Sequence, residues 1–363
     1  MQNRQFPCGQ CGADLKFAPG TTALACPYCG HHNTIEVADD ADPIRELDFR
    51  QHLQSARGEQ EMYEVMMVDC PGCGAETSLD PNVTADECPF CGTSLVKTQH
   101  AERLIKPQGQ LPFKVTENEA EEAFRDWIAG LWFAPNKLKK YRRREGGIKG
   151  IYLPFWTYDT DTDTKYVGRR GEHYYVTESY TAMEDGKQVR RTRQVRKTRW
   201  YPASGRVRNS FDDVLVPGST SLPQKYLLEL EPWDLDALVP YDDRYMSGFR
   251  SESYNVNLEQ GFETARVIMD TTITATIRRD IGGDEQQILN KQTSYYDITF
   301  KHILLPIWIS AYRYQDKVFR FMVNARTGEV QGERPWSWVK ITLAVLAALL
   351  VAAVIFWLNQ QGA

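Results

Sequence analysis

Eight cysteines stand in the sequence as four Cys-x-x-Cys pairs, Cys8/Cys11, Cys26/Cys29, Cys70/Cys73 and Cys88/Cys91, and no thiol occurs outside them. Residues 12–25 separate the first two pairs and residues 74–87 the last two, fourteen in each case, so one module is written twice. A Cys-x-x-Cys turn aims two sulfurs at one point, and two such turns complete a tetrahedral shell of soft ligands, the arrangement Zn2+ prefers. Each module is expected to bind one zinc ion, two per chain. Four thiolates leave no position open for a substrate, so the expected role of the metal is structural. Gly12, Gly30, Gly74 and Gly92 follow the second cysteine of each pair, where a positive φ has no steric cost. His31 and His32 come after a shell that is already complete and read as surface residues. Disulfides, a thioredoxin-type redox pair and a rubredoxin-like iron site are the other uses of such pairs. The stretch Met1–Cys8 lacks the apolar segment of a secretory signal, so the thiols are expected in a reducing compartment, which favours metal.

Catalytic patterns are missing: there is no Gly-x4-Gly-Lys-Ser/Thr phosphate loop, no Gly-x-Ser-x-Gly elbow, no His-Glu-x-x-His and no Gly-x-Gly-x-x-Gly opening a helix. The chain is expected not to be an enzyme. Asp159, Asp161 and Asp163 imitate the start of a calcium loop, but Thr164 replaces the required Gly and Arg170 the bidentate Glu, so they read as one solvated strand face. Gly282-Gly283 reads as a hairpin turn, with an anion nest as the alternative. His173 and His302 have no partner at ligand spacing.

Two basic runs could bind anions. Lys137, Lys139, Lys140, Arg142, Arg143 and Arg144 crowd one loop, and Lys187, Arg190, Arg191, Arg193, Arg196, Lys197 and Arg199 follow one arm of a hairpin turned at Asp185-Gly186. A solvated, charge-protected edge strand, a lipid or protein contact, and a nucleic-acid contact all fit such runs, the last being less favoured.

The elements that would carry these residues can be read in outline. Ile341 to Leu358 is uncharged and apolar, about 27 Å long as a helix, enough for one membrane span. Trp336, Trp338 and Trp357 suit the two interfaces, and Arg334 and Lys340 lie on the N-terminal flank alone, so the N-terminus and body are expected on the cytoplasmic side of the cell membrane, as a tail anchor. Ala344, Ala348 and Ala352 recur every fourth residue and would allow a homo-oligomer through close helix packing. The net charge of -5 is too small to send the whole chain to nucleic acid or lipid, so any such preference is local.

The expected fold is α+β, in seven stretches: ribbon 1 over 1–38, a mobile acidic linker (39–64, opening with Asp39, Asp40 and Asp42), ribbon 2 over 65–100, a body over 101–333, a juxtamembrane piece (334–340), the span (341–358) and a tail (359–363). In the body, Leu111-Pro112-Phe113, a helical run Glu117–Trp132 and Leu153-Pro154-Phe155-Trp156 recur in weaker form as Val239-Pro240-Tyr241, a helical run Leu258–Met269 and Leu305-Pro306-Ile307-Trp308. This predicts two similar helix-plus-sheet halves, with the prolines marking strand edges or starts.

The paired ribbons, together with Thr276–Gln286, Lys301–Trp308, Val323–Val330 and Gly332–Pro335, resemble a bacterial family of zinc-ribbon, single-span membrane proteins. Members are often mislabelled primosomal protein N′ or superfamily II helicase because of their Cys-x-x-Cys pairs, and no helicase motif occurs here. The resemblance covers nearly the whole chain and implies a membrane adaptor whose ribbons recruit phage-shock-type or SPFH (flotillin-like) envelope-stress proteins. A membrane-tethered nucleic-acid binder is the alternative.

Overall fold

The computed structural model describes residues 6–36, 44–54, 62–78, 85–96, 99–135, 147–184, 187–314 and 317–361. Asp39, Asp40 and Asp42, the basic run from Lys137 to Arg144 and the Asp185-Gly186 turn lie outside the described residues. The first cysteine module contains β1 (Lys16–Phe17), β2 (Ala23–Ala25) and β3 (His32–Thr34); β4 (Leu47–Asp48) then leads into α1 (Phe49–Gln54). The second module contains β5 (Met62–Asp69), β6 (Glu76–Thr77), β7 (Ala85–Glu87), β8 (Ser94–Val96) and β9 (Gln99–Ile105). The body follows with β10 (Gly109–Gln110), α2 (Glu117–Gly130), β11 (Lys149–Glu184), β12 (Lys187–Pro217), α3 (Gln224–Glu229), β13 (Val239–Pro240), β14 (Arg250–Ser251), α4 (Leu258–Ile281), β15 (Glu285–Tyr314), β16 (Lys317–Asn324) and β17 (Val330–Gly332). The apolar α5 (Trp338–Gln361) ends the described chain. The architecture is mixed helix and sheet, dominated by a large β-rich body.

The body is built on β11 and β15, which pair antiparallel from Lys149/Ile309 to Gly171/Glu285. In β11, Ile151 to Tyr158 is buried without a break, and so is Phe300 to Ile309 in β15. A run with no alternation belongs to a strand covered on both faces. Ile151, Leu153, Phe155, Ile303, Leu305 and Ile307 enter one core with α3 and the second module. Tyr152, Leu304 and Trp308 enter another with α2 and the first module. Farther along, Trp156, Tyr158 and Phe300 pack under α4.

The prolines sit in these central strands, and the register explains why they are tolerated. On β11 the neighbour changes from β14, parallel at Ile151 and Tyr152, to β12, antiparallel from Phe155, and Pro154 falls in the gap. On β15 it changes from β10, parallel at Ile303 and Leu304, to β16, antiparallel from Ile307, and Pro306 falls in that gap. Each strand is locally an edge where its proline lacks an N–H. The two proline carbonyls are bonded alike, by Gly218 N (2.8 Å) and Ala325 N (3.1 Å). The tryptophans match too: Trp156 Nε1 donates to Val256 O (2.9 Å) and Trp308 Nε1 to Val115 O (2.8 Å). Each accepting carbonyl is two residues before a helix, so each strand is locked to the helix start of the other half.

Both helix starts carry a reciprocal capping box, Thr116 with Glu119 and Asn257 with Gln260. The counterpart of β10 is β14, not the Val239-Pro240 strand, which pairs with β10 itself. α4 extends to Ile281, well past Met269. Its Thr271–Thr276 stretch is β-branched and suits a strand, but Leu258, Phe262, Ala265, Met269, Ile273, Ile277 and Ile281 form one buried stripe at helical spacing that overrides local preference. Gly282-Gly283 therefore ends a helix instead of turning a hairpin, with Gly282 at φ 65 and its N–H bonded to Arg278 O. Gly261 lets this helix approach the sheet, because a Cβ there would lie 2.3 Å from Tyr158 Oη.

Neither module dangles. Of the stretch expected as a mobile linker, Leu47 and Asp48 pair with β15 and Phe49 is buried in the α4 core. The second module's sheet reaches from Met62 to Ile105, beyond both residue 64 and residue 100.

Candidate metal centres and the charged arm

The cysteine pairs converge as their spacing requires. In the first module, Cys8 Sγ lies 3.6 Å from Cys29 Sγ and Cys11 Sγ 3.5 Å from Cys26 Sγ; in the second, Cys70–Cys91 is 3.5 Å and Cys73–Cys88 3.7 Å. All eight cysteines are free, and each group of four places its sulfurs within 4.8 Å of one another. Metal–sulfur bonds of about 2.3 Å imply a tetrahedral edge of about 3.8 Å, so the four-sulfur cages fit metal ions and are far wider than the ~2.05 Å of a disulfide. Each Cys-x-x-Cys turn closes the same way, with Gly12, Gly30, Gly74 and Gly92 N–H bonded to Cys8, Cys26, Cys70 and Cys88 carbonyls, at φ between 72 and 74. Nothing crowds a Cβ at these glycines, so their backbone conformation is the requirement. Gln10 N and Gly72 N donate to the Cys8 and Cys70 sulfurs.

Backbone donation from Cys29 holds the Cys26 thiol down at about 6, while burial pushes Cys88 up. Four thiolates so close repel one another, and a cation at the centre relieves that.

The modules dock differently. At one position of the repeat, Cys26-Pro27-Tyr28-Cys29 leaves Tyr28 82% exposed, whereas Cys88-Pro89-Phe90-Cys91 buries Phe90 completely and Arg320 Nε bonds the Phe90 carbonyl at 2.6 Å. The first module is held by its other side, through Phe17 against Tyr245 and Phe249 and through Ser247 Oγ to Leu15 O.

Where the second module meets the body, Glu252 is buried and accepts from Ser219 Oγ (2.7 Å), while Ser253 Oγ donates to Glu76 (2.8 Å). Burial pushes the Glu252 carboxyl up to about 7. Between its ordinary 4.5 and about 7 the folded chain keeps a proton that the unfolded chain has released, so stability falls as pH rises through that window. Glu252→Gln is expected to flatten this fall and to add about 2–3 kcal/mol near pH 8, read by urea unfolding at several pH values.

Beyond Gly171 the strand β15 departs, and β11 and β12 continue as a two-stranded arm through thirteen pairs, Glu172/Arg199 to Glu184/Lys187, about 40 Å at ~3.3 Å per residue. Its base is clamped by His173, whose N–H donates to Asp284 and whose Nε2 lies 2.7 Å from Glu285. Alternation puts Tyr174, Val176, Glu178 and Tyr180 on one face with Lys197, Val195, Arg193 and Arg191. There Arg199 covers Tyr174 and Arg193 covers Tyr180, and Glu178 takes Lys197 at 2.9 Å. Arg190 and Arg196 share the other face with Tyr175 and Met183. The predicted cations Lys187, Arg190, Arg191, Arg193, Arg196, Lys197 and Arg199 are all exposed, interleaved with aromatics.

The aspartates expected on one solvated face differ in their surroundings, and an irregularity between Tyr158 and Thr160 sets Asp159 apart from the other two. Asp163 is buried between Arg206 and Arg208; Asp159 belongs to a cluster with Glu46, Asp213 and Lys301; only Asp161 is exposed. The cluster escaped sequence reading because its members come from four separate segments. His302 is a buried core residue, its Nδ1 2.8 Å from Ile105 O, and burial pulls it down to about 4. A cavity of about 540 Å³ between α4 and β12 is lined mainly by apolar groups, including Phe211, Leu215, Trp233 and Met269.

α5 is long and apolar enough to cross a membrane, and none of it is buried. It leaves from the end of the sheet opposite the arm: β17 pairs with β16 at Phe321–Val323, beside the Lys149 end of β11, and runs away from the tip.

No family model matches the chain, and no solved structure does. Over 341 residues it is 24% identical to the uncharacterized protein YdjG of Bacillus subtilis (strain 168), a similarity spanning 93% of this chain and 91% of that protein.

Proposed function

We propose that this chain is a non-enzymatic membrane adaptor: two structural zinc ions fold its modules, α5 anchors it with the body on the cytoplasmic side, and the arm meets a protein partner away from the bilayer. The observation that carries the reading is the placement of arm and anchor at opposite ends of one sheet. From Gly150 to the tip at Glu184 the strand contour is about 110 Å, which favours a partner in the aqueous phase over lipid headgroups as the arm's target. With Phe90 buried, the second module acts as part of the scaffold, while Tyr28 of the first is an exposed aromatic. Lys340 and Arg334 on one flank of α5 support the orientation, and the family resemblance supports partners of the phage-shock or SPFH kind.

The test is a shortened arm, joining Thr177 to Gln194 by a two-residue turn so that the remaining register is kept. In-cell cross-linking of the full-length chain is expected to lose its principal partner with this variant and keep its membrane association. An unchanged partner set would sink the arm's role.

The cation rows of the arm also favour a second reading, nucleic-acid binding. If it holds, affinity of the detergent-solubilised chain falls steeply with salt, and changing Arg190, Arg191, Arg193 and Arg196 to Glu lowers the log–log slope by about 0.9 for each phosphate that is no longer neutralised. A flat salt response in the parent chain removes this reading.

A further inference from the structure

α2 ends in a turn, 131–134, that faces two ways. Leu131 and Ala134 are buried in the core shared with α2, while Trp132 is 83% and Phe133 42% exposed. This turn is bonded to the start of α5. Lys340 Nζ donates to Trp132 O (3.2 Å) and Ala134 O (2.8 Å), and Ser337 N donates to Phe133 O (2.7 Å). Trp336 and Trp338, 51% and 78% exposed, flank Ser337, and Arg334 lies 4.5 Å over the Trp336 ring. Four large apolar rings from two distant segments thus surround the first turn of a helix whose own surface is apolar and open.

We propose that the 131–134 turn is a second membrane contact, in which Trp132 and Phe133 enter the interfacial layer of the bilayer beside Trp336 and Trp338. The proposal rests on the reading of α5 as a span. The occupant follows from continuity: a turn hydrogen-bonded to residues 337 and 340 has to lie at the depth where α5 enters lipid. Tryptophan suits that depth because its ring is apolar and its N–H polar. Exposed together to water, such rings would form an apolar patch of the kind that marks an interaction site. Lys340 secures the turn through its ammonium group, which bonds two of its carbonyls. With two contacts the body is seated on the bilayer and cannot swivel freely about one helix.

The test uses the full-length chain carrying 5-fluorotryptophan in nanodiscs of phosphatidylcholine and phosphatidylglycerol, with Trp132→Phe, Trp338→Phe and Trp357→Phe each assigning one fluorine resonance. A nitroxide on the upper acyl chain is expected to broaden Trp132 and Trp338, and a water-soluble paramagnetic agent to leave them sharper than a control at the first module labelled by Tyr28→Trp. If Trp357 responds to the nitroxide lipids, which label both leaflets, and Trp132 does not, the second contact is wrong and the span stands. If neither responds, the span reading itself has failed. If Trp132 is shielded from both agents, protein covers the turn, most simply a second copy, and the lipid assignment is overturned. The double variant Trp132→Ser/Phe133→Ser is expected to remain membrane-bound while a spin label on the body gains rotational freedom; unchanged mobility would also count against it.

Discussion

Cys88→Ser is expected to unfold the second module and take much of the body with it, whereas Cys29→Ser is expected to disrupt the first module and take less of the body. If each cage holds zinc, one ion supplies on the order of 10 kcal/mol or more of folding free energy, comparable with the roughly 5–15 kcal/mol total stability of an ordinary domain. The difference between the variants comes from docking. Cys88, Cys70, Ala75, Phe90 and Leu95 share one core with Ile151, Leu153, Phe155 and Ile303 from the central strands, so losing the ion opens the sheet to water on that face. The first module also covers Tyr152, Leu304 and Trp308, but the turn that carries Cys29 is exposed and Tyr28 beside it touches solvent. Hydrogen exchange on the detergent-solubilised chain, with zinc measured alongside, separates the cases: lost protection throughout β11 and β15 for Cys88→Ser, and loss centred on residues 6–36, reaching the strands only around Tyr152, Leu304 and Trp308, for Cys29→Ser. Equal spreading in both would mean that the second module does not brace the sheet.

Lys301→Met is expected to lower stability by about 3–5 kcal/mol, the range for removing one partner of a buried ionic group. Lys301 Nζ lies 2.7 Å from Asp213, 3.2 Å from Glu46 and 3.9 Å from Asp159, and is the cation shared by these three carboxylates. Burial already pushes Asp159 up to about 6 despite this neighbour. Folding therefore favours protonated Asp159, and stability from this group falls as pH rises from about 4 to about 6. Without the ammonium the carboxyl must rise further, extending the fall to higher pH. The variant's deficit should thus be smaller near pH 5 than near pH 8 when read by urea unfolding. A deficit independent of pH would show that packing of the lysine stem, not its charge, is what matters.

The metal cages were the most legible part of the sequence because all eight ligands lie in short, repeated local patterns, and a Cys-x-x-Cys turn needs no distant element to form. α5 was legible for a similar reason, since eighteen uncharged residues carry their meaning locally. The two prolines misled only in part: they do mark missing neighbours, but the interruption lies between β14 and β12, or between β10 and β16, which no local pattern reveals. The second half of α4 was hidden because its threonines suit a strand, and only the stripe ending at Ile281 discloses the helix. The packing within the stretch expected as a mobile linker is not legible locally, because the contacts that hold it, such as Leu47 on Phe300 and Phe49 against Phe262, join residues far apart in the chain.

Late synthesis of β15 bears on how the protein is made. This strand pairs with β4, β10, β11 and β16, joining Phe300 to Leu47 and Ile303 to Gly109. During translation, everything upstream must wait with its central edge bare until residues near 309 emerge, and such long-range closure is slow. A nascent chain halted before that point would hold finished cysteine cages beside an incomplete sheet, an open template for wrong pairing that a holding chaperone would need to cover.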